Sequence, residues 1–112
     1  MADKLLPGDG PAPGESREAF LRREYLSQTA QIHWHELQTY FAGGNVVQVA
    51  AELDLVEVAV QLGLDNSAQF EAWIGAGQIA PVSDDLARAW FEVNQRLWAV
   101  VAAPWVLVQS KA

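Results

Sequence analysis

The chain has 112 residues, enough for one domain and too few for two. An apolar content of 51% exceeds what a disordered chain carries, and 14 acidic against 7 basic residues, a formal charge of −7, argue against a general binder of nucleic-acid phosphates. The absence of cysteine removes disulfides, thiolate nucleophiles and Cys-ligated zinc or iron–sulfur centres together.

The opening stretch, residues 1–15, combines three prolines and three glycines with no periodic apolar pattern. That is the composition of a solvated tail, so disorder is expected there and again at Ser110–Ala112. Leu5 and Leu6 are too short a pair for a secretory signal. The longest apolar run, Leu97–Val108, is interrupted by Pro104 and falls short of the about 20 residues that a spanning helix needs. A cytoplasmic protein without a membrane partner is the resulting expectation, with residues 16–109 as a single domain.

Ser16 is a good N-cap and Glu18 suits the first turn of a helix, after which Phe20, Leu21, Tyr25 and Leu26 recur at helical spacing; a helix over 17–29 is expected. Trp34, Leu37, Tyr40 and Phe41 continue the period, with a bend or restart near Thr29–His33 and a stop at Gly43-Gly44. Val46–Val49 reads as a strand. Asp54 with Glu57 makes a capping box for a helix over 55–62 that buries Leu55, Val58, Ala59 and Leu62, although the valines keep a strand as competitor. Asn66 offers a similar cap ahead of Phe70, Trp73 and Ile74. Gln78–Val82 is a strand candidate weakened by Pro81, and Ser83 caps a helix reaching about Asn94 with Leu86, Ala89, Trp90 and Val93 inside. Leu97–Gln109 reads as a strand pair or one long bent strand, buried on both faces, with Pro104 at an edge, a bulge or a break between two strands. The sum is an α+β domain: a small sheet of three to four short strands packed with four to five helices.

Charge placement is uneven. Between Arg23 and Arg88 there is no lysine or arginine, while carboxylates recur throughout. Many of these acids suit caps and solvated faces. Glu52, Asp54, Glu57, Asp84 and Asp85 also suit a negative surface that docks a basic protein or peptide. The five tryptophans fall on faces expected to be buried; Trp105, beside the strand break at Pro104, is the candidate contact residue if one of them lies at the surface.

Chemical motifs are sparse. No serine stands in a Gly-x-Ser-x-Gly setting, no glycine-rich phosphate loop is present, and no lysine lies between Lys4 and Lys111. His33 and His35 are two apart, a spacing that diverges on a helix, and no metal or other cofactor is expected. An alternative reading, a small metal-dependent hydrolase, would need His33 or His35 to meet Glu36, Glu52 or Asp54 in a pocket. A further alternative is a structural homodimer that buries an apolar edge at Leu97–Val108. The favoured reading is an interaction module rather than an enzyme.

The run Trp34-His-Glu-Leu-Gln38, the segment Glu52-Leu-Asp-Leu-Val-Glu-Val-Ala59, the stretch Val82-Ser-Asp-Asp85, and the ending Trp98-Ala-Val-Val101 with Pro104-Trp-Val-Leu-Val-Gln109 resemble the bacterial "domain of unknown function 2288" family. The resemblance covers about residues 26–109. It implies a small cytosolic bacterial protein and supplies no catalytic or binding residue.

Overall fold

The computed structural model describes residues 11–110; the tail expected over 1–15 and the end at Lys111 and Ala112 therefore lie partly outside the described residues. Residues 11–15 form a turn in which Ala12 N donates to the Glu15 carboxylate at 2.9 Å, and Arg23 in turn donates to Glu15 at 2.9 Å.

Helix α1, Arg17–Gln28, starts where the Ser16 hydroxyl accepts from Ala19 N and stops at Thr29, whose backbone turns extended. Strand β1, Ala30–His33, follows at once, and a single 3-10 turn, Trp34–Leu37, leads into the short helix α2, Gln38–Ala42. Gly44, at φ 77°, provides the left-handed backbone that brings the chain into β2, Val46–Val49. Asp54 accepts from Val56 N and Glu57 N to open α3, Leu55–Gly63, and Asn66 accepts from Gln69 N to open α4, Ser67–Gly75. Strand β3, Ile79–Pro81, precedes α5, Asp84–Val93, which Ser83 caps through Leu86 N. Strands β4, Arg96–Ala102, and β5, Trp105–Gln109, are joined by a turn with a cis Ala103–Pro104 bond.

The sheet has five strands in the order β1-β4-β5-β2-β3, one or two more than the sequence suggested. All neighbours are antiparallel except β2 and β5. The unforeseen member is β1. Ile32 is followed by Trp34 and Leu37, and that apolar spacing mimics a helix continuing from α1. The edge location of β1, with only Ile32 half-buried, leaves its alternation faint.

Side-chain alternation sends the core to both faces. Val46, Leu97, Val106 and Val108 point to one side, where Trp34, Leu37, Ala87 and Trp90 cover them; Val47, Val49, Val100 and Leu107 point to the other, beneath Leu55, Val58 and Ala59 of α3. Trp34 is fully buried and meets Phe41 and Trp90 edge-on at centroid distances of 5.4 and 5.2 Å. Its indole N–H has no oxygen or nitrogen acceptor among the described residues.

Three expectations need correction. Strand β4 sends Leu97 into one face and Val100 and Ala102 into the other, but Arg96, Trp98 and Val101 reach solvent, so neither face is covered along its whole length; β5 beside it is covered on both. Leu97–Val108 is no edge, since β4 and β5 lie inside the sheet and the edges are β1 and β3. In α5 Ala87 and Trp90 are buried and Leu86 packs half-buried beside them as expected, while Ala89 and Val93 face outward, so the burying stripe is narrower than the apolar residues imply.

Candidate partner-binding surface

Four elements converge on an apolar groove of about 310 Å³. Phe70 and Ile74 come from α4, Ile79 and Pro81 from β3, Val47 from β2 and Trp105 from the start of β5. Gly77, at φ 74°, and Gly44 line it without side chains, and no atom lies within 4 Å of where a Cβ would stand at either. The glycines that turn the backbone thus also keep the groove open. Ile74 remains 53% exposed, an apolar side chain with no covering partner among the described residues. Trp105 is half-buried and packs against the cluster that contains Ile79, with Phe70 also at its margin. The tryptophan that stands at the surface is instead Trp98, at 38% exposure.

The carboxylates singled out in the sequence separate into groups. Glu52 accepts from Gln78 Nε2 at 3.4 Å, at the residue that precedes β3, while Asp84 and Asp85 occupy the first turn of α5 just beyond Pro81. Along the chain these acids flank β3, the groove's outer wall, at both of its ends, while none of them lines the groove itself. Asp85 also pairs with Arg88 at 3.6 Å, both side chains being well exposed, so this contact is weak. Asp54 lies apart, at the N-terminus of α3. Glu57 is occupied within the fold: it forms an ion pair with Arg22 of α1 and accepts from Gln61 Nε2 at 2.6 Å. It ties α1 to α3 and is not free to meet a partner.

Two further acids adjoin the groove. Asp65 and Glu71 line a second hollow of about 260 Å³ that shares Phe70 with it. Asp65 adopts φ 60°, a left-handed position that Asp tolerates better than most residues. Both acids lie in the stretch without basic residues; Glu71 follows Phe70 directly, and what was hidden is that the turn between α3 and α4 brings Asp65 to the same hollow.

The histidines diverge. His33 lies 3.9 Å from Glu36 at the sheet edge, whereas His35 Nε2 contacts the Phe91 carbonyl at 2.8 Å and its ring rests on Phe91. His35 N donates to Asn94 Oδ1 at 3.0 Å, so this side chain and its backbone fasten the 3-10 turn to the end of α5. Among the described residues no three His, Asp or Glu side chains gather where they could hold a metal ion. Glu15 is the carboxyl with a displaced titration: Arg23, helped by Ala12 N, holds it below the usual glutamate value.

An α+β domain with a five-stranded mixed sheet is the class that these features define. The chain belongs to the family described as "Protein of unknown function (DUF2288)", whose model matches residues 20–110. It is similar to the protein of a solution NMR structure, PA1075 from Pseudomonas aeruginosa: 46% of residues are identical, 82% of this chain and 85% of that chain are covered, and the TM-score is 0.73. No curated protein matches the chain. No helix among the described residues is long and apolar enough to cross a membrane.

Proposed function

We propose that this chain is a non-enzymatic interaction module of the cytoplasm that holds a basic peptide segment of a partner protein. An aromatic or aliphatic side chain of the segment enters the groove against Trp105, Phe70 and Ile74, and flanking lysines or arginines meet Glu52, Asp65, Glu71, Asp84 and Asp85. The supporting observation is the groove itself, an apolar hollow of about 310 Å³ with acids at both ends of its β3 wall. Apolar concavities of this size bind side chains and small ligands well, and a polar or charged rim supplies orientation and encounter rate more than affinity.

Selection of binders from a random peptide library on the immobilised protein tests the reading. Selected peptides should carry net positive charge around one large apolar residue, and their affinity should fall as salt rises, since exposed charges are screened over about 8–10 Å at ordinary ionic strength. Trp105→Ala should weaken them at least about tenfold, the scale of a buried aromatic anchor. Peptides without basic bias, or binding indifferent to both salt and Trp105→Ala, would refute the reading.

A further inference from the structure

Away from the Trp105 groove, a hollow of about 140 Å³ opens between the C-terminus of α1 and the N-terminus of α3, floored by β4 and β5. Thr29, Asp54, Trp98 and Gln109 line it. Its volume is well below the roughly 300 Å³ at which metabolite pockets begin, but it has room for the head group of one side chain. Trp98 and Gln109 are cross-strand partners on the same face of the sheet.

Beside the aliphatic Leu55 and Val56, the lining presents two acceptors and an indole. Gln109 is the buried polar residue of the core, 2% exposed, and its Nε2 donates to Ala50 O at 2.8 Å and Leu53 O at 2.7 Å. These two bonds fix the amide so that Oε1 is left without a donor among the described residues, on a side chain that lines the hollow. Asp54 uses Oδ1 to accept from Val56 N and Glu57 N, which answers the positive end of α3 and leaves Oδ2 without a donor. Helix α1 brings its negative end, and its last turn holds no basic residue to answer it. Trp98 is the exposed indole beside these groups. A carboxylate oxygen, an amide oxygen and an indole are groups that suit a planar cation: guanidinium donates in a fixed fork and stacks on tryptophan.

We infer that Trp98, Asp54 and Gln109 form a recognition subsite for an arginine side chain. The inference rests on the reading of this chain as a binder of basic segments and specifies a second contact on it. Arg96, two residues before Trp98 and on the same strand face, forms no ion pair among the described residues and opposes the bound cation from the side.

The test is a ¹⁵N-detected titration of the full chain with N-acetyl-arginine methylamide, and with the citrulline analogue as the neutral isostere. Trp98→Phe assigns the indole signal. The arginine probe should shift the Trp98 indole and the Gln109 side-chain amide saturably in the millimolar range, and the citrulline probe should not. Asp54→Asn keeps a good N-cap while removing the charge, so it should leave the melting temperature nearly unchanged yet weaken binding roughly threefold to tenfold. Arg96→Gln should tighten it. The subsite is overturned if the arginine probe leaves Trp98 unmoved at tens of millimolar, if citrulline shifts the same signals equally, or if Asp54→Asn binds like the wild type. If basic peptides still bind through Trp105 in that event, the interaction-module reading stands and only the arginine subsite falls.

Discussion

Replacing Gln109 by leucine removes a buried amide of nearly the same size and exposes how the sheet and α3 are held in register. In the wild type the amide N–H groups reach Ala50 O and Leu53 O, both in the loop that carries β2 into α3. Each bond contributes about 1 kcal/mol net. Ala50 O keeps a second donor, Leu53 N at 3.0 Å, whereas Leu53 O depends on Gln109. A carbonyl left unpaired beside a leucine costs about 1 kcal/mol more where water reaches it poorly. The loss is therefore about 2–3 kcal/mol, reduced slightly by the apolar surface that leucine buries. For a domain of this size, where 1 kcal/mol moves the midpoint by about 4–8 °C, the expected fall in Tm is roughly 10–20 °C. Urea unfolding followed by tryptophan fluorescence measures the free energy directly, and an unchanged slope would confirm that the unfolded reference is the same. A loss below about 0.5 kcal/mol would refute the reasoning, because it would mean that water replaces both bonds without cost and that the amide does not position the loop.

Asn94 ends α5 at φ 48° and accepts from His35 N at 3.0 Å. Asn94→Ala should lose about 1–2 kcal/mol, from the left-handed backbone and the lost acceptor, while Asn94→Gly should lose less because the backbone term vanishes; chemical denaturation of both variants gives the comparison. The Glu15 carboxyl should titrate below the ordinary value of about 4.3 in ¹³C-detected NMR and return toward it in Arg23→Gln, since the Arg23 contact is the leading cause of its depression. A depressed folded value means that the contact stabilises above the ordinary glutamate range and that its contribution disappears as pH falls through the lowered value. Arg23→Gln should therefore matter at neutral pH and become silent in acid.

The helix starts were legible because caps are local chemistry: Ser16, Asp54, Asn66 and Ser83 each accept from the backbone N–H groups that their sequence positions imply. Pro104 likewise limited the chain to an edge, a bulge or a break, of which the break between β4 and β5 is realised, and Pro81, which weakened the strand reading of β3, stands on an edge strand, because a residue without an N–H has few places in a sheet. What remained hidden depends on long-range pairing. Strand β1 is specified by Leu97 and Ala99 across the ladder, far along the chain, and not by its own alternation. The same pairing leaves Trp98 at the surface, on an uncovered margin between α1 and α3, although its neighbours in sequence are strongly apolar. The carboxylates could be counted in sequence, but their division could not: β3 and the start of α5 carry the chain from one sheet face to the other, and Arg22 claims Glu57 through the packing of α1 on α3. Family membership was readable from ordered motifs that themselves carry no chemistry, so it supplied a family and no site.

The most direct measurement is a chemical-shift map of a library-selected basic peptide titrated into ¹⁵N-labelled protein at low salt. The account predicts that the perturbed amides and indole signal cluster on Val47, Phe70, Ile74, Gly77, Ile79 and Trp105, and that the map fades with added salt. Perturbations spread evenly over the surface, or centred on the α5 and 3-10 face around Trp34, would contradict it.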